Sequence, residues 1–85
     1  MMRLDKFLKI SRLVKRRTLA KEVADQGRIQ INGNQAKASA DVSVGDTLSI
    51  RFGQKQLTIE VTSLRETVKK DEASSLYKVI SEQEV

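Results

Sequence analysis

The stretch RLDKFLKISRLVKRRTLAKEVADQGRIQING, Arg3 to Gly33, decides the fold. It reads as two short basic helices, a glycine stop, and a strand running into an Asn-Gly turn. Leu4, Phe7 and Leu8 stand at i, i+3 and i+4, one apolar stripe of a first helix from about Arg3 to Ser11. Arg3, Lys6 and Lys9 recur at three-residue spacing along another flank. Asp5 falls in the first turn, where a negative charge suits the helix dipole and can accept a hydrogen bond from a nearby Arg. Ser11 to Arg17 is a connector carrying the basic run Lys15-Arg16-Arg17, with Leu13 and Val14 turned inward. A second helix is predicted from Arg16 or Arg17 to Asp25 or Gln26. Leu19 and Val23 form its apolar stripe, with Ala20 and Ala24 on their side. Arg17 and Lys21, four apart, lie outside that stripe. Gly27 is placed to cap the helix, because glycine accepts the left-handed conformation cheaply.

Beyond the second helix the period changes from helical to alternating. Arg28 to Asn32 predicts a strand with Ile29 and Ile31 inward, and Asn32-Gly33 is a strong turn signal. Gln35 to Ala38 is expected to return as a short strand. Asp41 to Asp46 reads as a loop ending in a tight turn. Thr47–Phe52 and the run carrying Leu57, Ile59 and Val61 alternate on either side of Gly53-Gln54-Lys55, which predicts a hairpin. Arg65 to Ser75 reads as a charged helical turn or loop, Leu76 to Ile80 as a further strand, and Ser81 to Val85 as a frayed tail. The expected architecture is α+β: two short N-terminal helices packed on a small, mostly antiparallel β-sheet. Residues 1–64 form the domain, and residues 65–85 are an extension packed on it.

Composition removes several function classes. With 85 residues the chain is one domain with a modest core. It contains no cysteine and no histidine, so disulfides, thiolate metal sites and the usual neutral-pH acid–base group are absent. Asp, Glu and Lys do not cluster in a way that suggests catalysis or a carboxylate metal site. The N-terminus is basic but too polar for a signal peptide, and no apolar run approaches membrane-spanning length. The expectation is a soluble cytoplasmic monomer without cofactor or metal.

The net charge of +5 is unevenly spread. Residues 1–37 hold ten Lys/Arg against three Asp/Glu, and residues 38–85 hold six against eight. A half-molecule carrying +7 attracts a polyanion to one side, whereas solubility alone is served by mixed charge. Phosphates neutralised by Lys and Arg release counterions, and Arg adds a planar fork that can grip a phosphate bidentately. Arg3 and Arg17 stand out, each near the start of a helix, where free N–H groups also favour anions. A solvated charged face is the bland alternative. The aromatics are Phe7, Phe52 and Tyr77, and their spacing places them in or against the core. A single-strand reader displays several exposed aromatics, so the chain is read as a binder of folded RNA by shape and backbone. Asn32, Gly33 and Asn34 are assigned to a hairpin turn rather than to a partner.

The runs RLDKFLK, RRTLAKEVADQGRIQINGNQAK and VSVGDTLSI together resemble the S-four (S4) domain, a small RNA-binding module built on the αL motif. Arg3-Leu4-Asp5, Arg17, Ala20, Val23, Gly27, Ile29, Ile31-Asn32-Gly33 and Gly45-Asp46 match the family pattern over about residues 2–52. Arg16 departs from it, standing where the family often has a serine that caps the second helix. The whole chain is similar to the ribosome-associated heat-shock group, and especially to its members that serve ribosome quality control in Gram-positive bacteria. The resemblance implies binding to large ribosomal subunits that still carry peptidyl-tRNA after a stall, with contacts to rRNA and tRNA. It implies work beside an alanine-tailing factor that recruits alanyl-tRNA and extends the stalled chain. Carried over from the family, Arg3, Asp5 and Arg17 are the key residues; Lys6, Lys9, Arg16 and Lys21 are expected to add charge. The alternatives are a general rRNA-binding assembly or heat-shock recycling factor, a fragment of an RNA-modifying enzyme, and a protein adaptor using the acidic half.

Overall fold

The computed structural model describes residues 1–65 and 68–84. In chain order the elements are β1 (Met2–Arg3), α1 (Leu4–Ile10), α2 (Arg17–Asp25), β2 (Ile29–Ile31), β3 (Asn34–Gln35), β4 (Asp41–Val42), β5 (Thr47–Phe52), β6 (Lys55–Val61), a 3-10 segment (Lys70–Leu76) and β7 (Tyr77–Glu84). Five strands form one antiparallel sheet in the order β3-β2-β5-β6-β7, while β1 and β4 make a separate two-stranded ladder. The α+β reading holds.

One apolar cluster joins the layers. Leu4, Phe7 and Leu8 of α1 meet Ala20 and Ala24 of α2, and behind them lie Ile29, Leu48, Ile50, Ile59 and Val61 of the sheet. Alternation along β5 explains the sidedness: Leu48 and Ile50 are fully buried, while Arg51 between Ile50 and Phe52 is exposed. Phe7 is buried in the core, and Phe52 and Tyr77 pack against it half-buried, in line with the aromatic assignments.

The stripe on α2 differs from the expected one. Ala20 and Ala24 face the core, Val23 is half-buried, and Leu19 is 46% exposed. At 3.6 residues per turn, Leu19 stands about 100–140° around the helix from the two alanines. The small residues let α2 lie close to α1, and that close approach turns Leu19 outward.

Turn chemistry behaves as the sequence dictates. Asn32 and Gly33 both have positive φ (51° and 86°), the type I′ turn that matches strand twist, and the β2–β3 pairing places them at its tip. The Asn32 side chain is consumed internally: its Nδ2 donates to Asp46 Oδ1 (3.1 Å) and its Oδ1 accepts from the Thr47 N–H (2.9 Å). Gly27, at φ 77°, follows α2 as the expected left-handed cap.

Three segments depart from expectation. β3 is only Asn34–Gln35, because Ala36 to Ala40 bend back to serve α1: the Leu4 N–H donates to the Ala40 carbonyl (2.8 Å) and the Asp5 N–H to the Ala38 carbonyl (3.2 Å). Asp41–Val42, expected as loop, pairs with Met2–Arg3, so Arg3 belongs to a strand and α1 begins at Leu4. Ser81–Glu84, expected to fray, is paired with β6 as the outer part of β7, and Ile80 is the extra residue of a bulge opposite Thr58/Ile59. Main-chain pairing with the long β6 holds these polar residues where their side chains cannot. The 3-10 segment occupies part of the region expected as turn or loop, anchored by buried Ala73 and Leu76. Glu66 and Thr67 of that region, and Val85 of the tail, lie outside the described residues.

Candidate nucleic-acid interface

The site is built around one carboxylate. Asp5, on the first turn of α1, is buried, with 5% of its side chain accessible. Arg3 approaches it from β1 with Nε to Oδ1 at 3.3 Å and Nη2 to Oδ2 at 3.4 Å. Arg17 approaches from the start of α2 with Nη2 to Oδ1 at 3.5 Å and Nε to Oδ2 at 3.4 Å. The Lys6 N–H donates to Oδ1 at 2.8 Å. Both guanidinium forks therefore converge on one acid, yet about half of each arginine side chain (51% and 50%) stays in solvent. The contacts are longer than the 2.7–2.9 Å usual for charge-assisted bonds. Asp5 orients the two forks without saturating them.

The electrostatics agree with this geometry. Burial pushes the Asp5 carboxyl up. Hydrogen bonds from Arg17, Arg3 and the Lys6 N–H, with the Arg17 charge, outweigh it and hold the carboxyl below the usual aspartate value. Asp5 is thus an anion at neutral pH, as a partner of two cations must be.

The local backbone places these groups. α1 stops at Ser11, whose N–H donates to the Phe7 carbonyl and whose buried hydroxyl donates to the Leu8 carbonyl. Arg12 follows in the left-handed region, φ 65°, with its N–H on the Lys9 carbonyl, and the Val14 N–H closes onto the Leu8 carbonyl. This reversal turns the chain sharply enough to bring α2 back beside α1, with Arg17 level with Asp5. Arg16 is the N-cap of α2 and makes no side-chain cap, consistent with the departure from the serine pattern.

The structure thus brings Arg3, Asp5 and Arg17 into direct contact. Lys6 joins them through its backbone. Lys9, Arg16 and Lys21 are exposed on the same two helices or at their ends. Leu19, expected in the inward stripe of α2 with Val23, is exposed instead. It lines a shallow hollow with Lys15, Arg16, Thr18 and Glu22, an apolar spot beside the cations. The phase of the Ala20/Ala24 pair was the available signal. Arg12 was also missed, since nothing local in the sequence marks a left-handed arginine. Among the described residues no group of three or more acids is arranged to hold a metal, and no helix is long and apolar enough to cross a membrane.

Comparison with known proteins places this geometry. Residues 2–48 match the S4 domain family. The chain is 66% identical over 84 residues to the RQC P-site tRNA stabilizing factor of Bacillus subtilis, covering 99% of this chain and 98% of that one. It is 64% identical to the factor of the same name from Halalkalibacterium halodurans, covering 99% and 96%. The fold superposes on the trimeric structure of Vibrio cholerae heat shock protein 15 with a TM-score of 0.86, at 32% identity, covering 94% of this chain and 82% of that one. The Arg-Leu-Asp turn, the second basic helix and the Asn-Gly hairpin all fall within the matched residues, and the chain belongs to the S4 domain family.

Proposed function

We propose that this chain is an RNA-binding component of ribosome-associated quality control. It binds obstructed large ribosomal subunits through rRNA and peptidyl-tRNA, and supports C-terminal alanine tailing of the stalled chain. The observation that carries the reading is the pair of half-exposed arginine forks held by Asp5, in a chain aligned over 99% of its length with a factor named for stabilizing P-site tRNA. Arg3 and Arg17 grip phosphates of the RNA backbone, and Asp5 holds their forks in position before RNA arrives. Preorganisation lowers the ordering cost that two free arginines would meet on binding. Lys6, Lys9, Arg16 and Lys21 add long-range attraction. A domain touching rRNA and tRNA together biases the tRNA toward one position on the subunit. The chain acts as a monomer, without catalysis of its own, beside the tailing factor that recruits alanyl-tRNA.

Arg17→Ala and Arg3→Ala are expected to abolish co-sedimentation with large subunits carrying peptidyl-tRNA, at a cost of about 1–3 kcal/mol per arginine, while circular dichroism stays unchanged. Folded variants that sediment at wild-type levels would refute the clamp. A second reading, a heat-shock recycling factor that binds rRNA generally, is favoured by the overlap with heat shock protein 15. Equal binding to subunits with and without peptidyl-tRNA selects that reading.

A further inference from the structure

A second cationic site lies at the far end of α2, on the solvent side of the sheet. The Arg51 N–H donates to the Arg28 carbonyl (2.9 Å), which continues the β2–β5 ladder one residue beyond the Ile29–Ile50 pair. Arg28 and Arg51 are therefore cross-strand neighbours, pointing to the same side. Like charges placed directly opposite destabilise a sheet. Both are exposed, and neither guanidinium has a hydrogen-bond or ion-pair partner among the described residues. Beside them Gln30, Ser49 and Gln56 share the same face, and with Gly27 the group lines a cleft of about 170 Å³. The lining holds two cations, two amides and a hydroxyl, and no carboxylate. That donor set fits the phosphates and ribose hydroxyls of a nucleic-acid backbone.

This site is separate from the Asp5 clamp. Arg17 opens α2, whereas the Arg28 N–H bonds back to the Val23 carbonyl in its last turn. The nine-residue helix sets the two ends about 14 Å apart. A single phosphate cannot reach both. Ile29 and Ile50, beside these arginines, face the core shared with α1 and α2. Arg28 and Arg51 therefore point to the sheet face turned away from the helices that carry the clamp.

We propose that Arg28 and Arg51, with Gln30, Ser49 and Gln56, form a second RNA-backbone site, so that one chain holds two RNA segments at once. The inference rests on the RNA-binding reading and supplies what a bridge between two RNAs requires. Native mass spectrometry of the chain with excess short RNA hairpin tests it. Wild type is expected to give complexes of one chain with two hairpins. Arg28→Ala/Arg51→Ala is expected to keep the first hairpin and to bind the second about tenfold or more weakly. Arg28→Lys/Arg51→Lys, which keeps charge but loses the forks, is expected to fall between. Because the alanine pair removes a repulsion, its melting temperature is expected to match or exceed wild type; a marked fall would assign the arginines a structural role and overturn the proposal. An unchanged two-hairpin complex in the alanine pair, or a wild type that takes only one hairpin, overturns it while leaving the clamp standing. No RNA binding by wild type overturns both.

Discussion

Asp5 must be charged for the two arginines to share it, and that requirement carries a pH signature. Its carboxyl lies below the usual aspartate value in the folded chain. Between the unfolded value, about 3.9, and the lower folded one, the unfolded chain holds more protons, so stability falls as pH drops through that window. Asp5→Asn removes this titration. Urea unfolding at pH 7 is expected to show the variant less stable by about 1–2 kcal/mol, with the gap closing below about pH 4. Parallel curves from pH 7 to 3 would mean the carboxylate contributes nothing. The triad itself was partly legible. Arg3 and Asp5 are two residues apart, and the Arg-Leu-Asp run carried the family resemblance. The meeting of Asp5 with Arg17, twelve residues on, depends on the left-handed Arg12 reversal, which no periodicity encodes.

At the level of elements, the caps and turns do most to fix the helices against the sheet. Gly27 has φ 77°, and a Cβ there would run into the Gln35 side-chain amide. The amide is the mobile end of its side chain and can swing away, so the main penalty is the left-handed backbone. Gly27→Ala is expected to lower stability by about 1–2 kcal/mol in urea melts, with the clamp intact. No change would mean that the helix end relaxes freely. Strands with strict alternation, such as Thr47–Phe52, were readable to the residue. β1, β4 and the outer half of β7 were not. β1 and β4 are two residues long, too short for alternation to show around buried Met2 and Val42, and Ser81–Glu84 carries no apolar residue. All three are held by main-chain bonds to distant partners. The orientation of α2 was misjudged because size, not hydrophobicity alone, decides which residues face a close-packed neighbour.

Over the whole molecule, charge is divided as the chain is divided. The basic half contains both helices, and the half from residue 38 onward is slightly acidic. Binding of structured RNA is therefore expected to weaken steeply with salt. Neutralising Lys9 and Lys21 together is expected to reduce the slope of log K against log salt by about 2. Neutralising Lys69 and Lys78, outside the basic half, is expected to leave it unchanged. Gel shifts across a salt series measure both; equal effects from the two pairs would show that net charge, not its placement, governs binding. This asymmetry was plain in the sequence, because a charge count needs no tertiary contacts. The pairing of Arg28 with Arg51 was not, since it depends on strand register.

The ladder joining Met2–Arg3 to Asp41–Val42 closes a ring of about forty residues that contains both helices and the first hairpin. Closing such a ring costs entropy that only later contacts recover. The carbonyls of Ala38 and Ala40, which receive the first N–H groups of α1, arrive with the same closure. A nascent copy emerging from its own ribosome cannot set Asp5 in place until this distant backbone has been synthesised and docked.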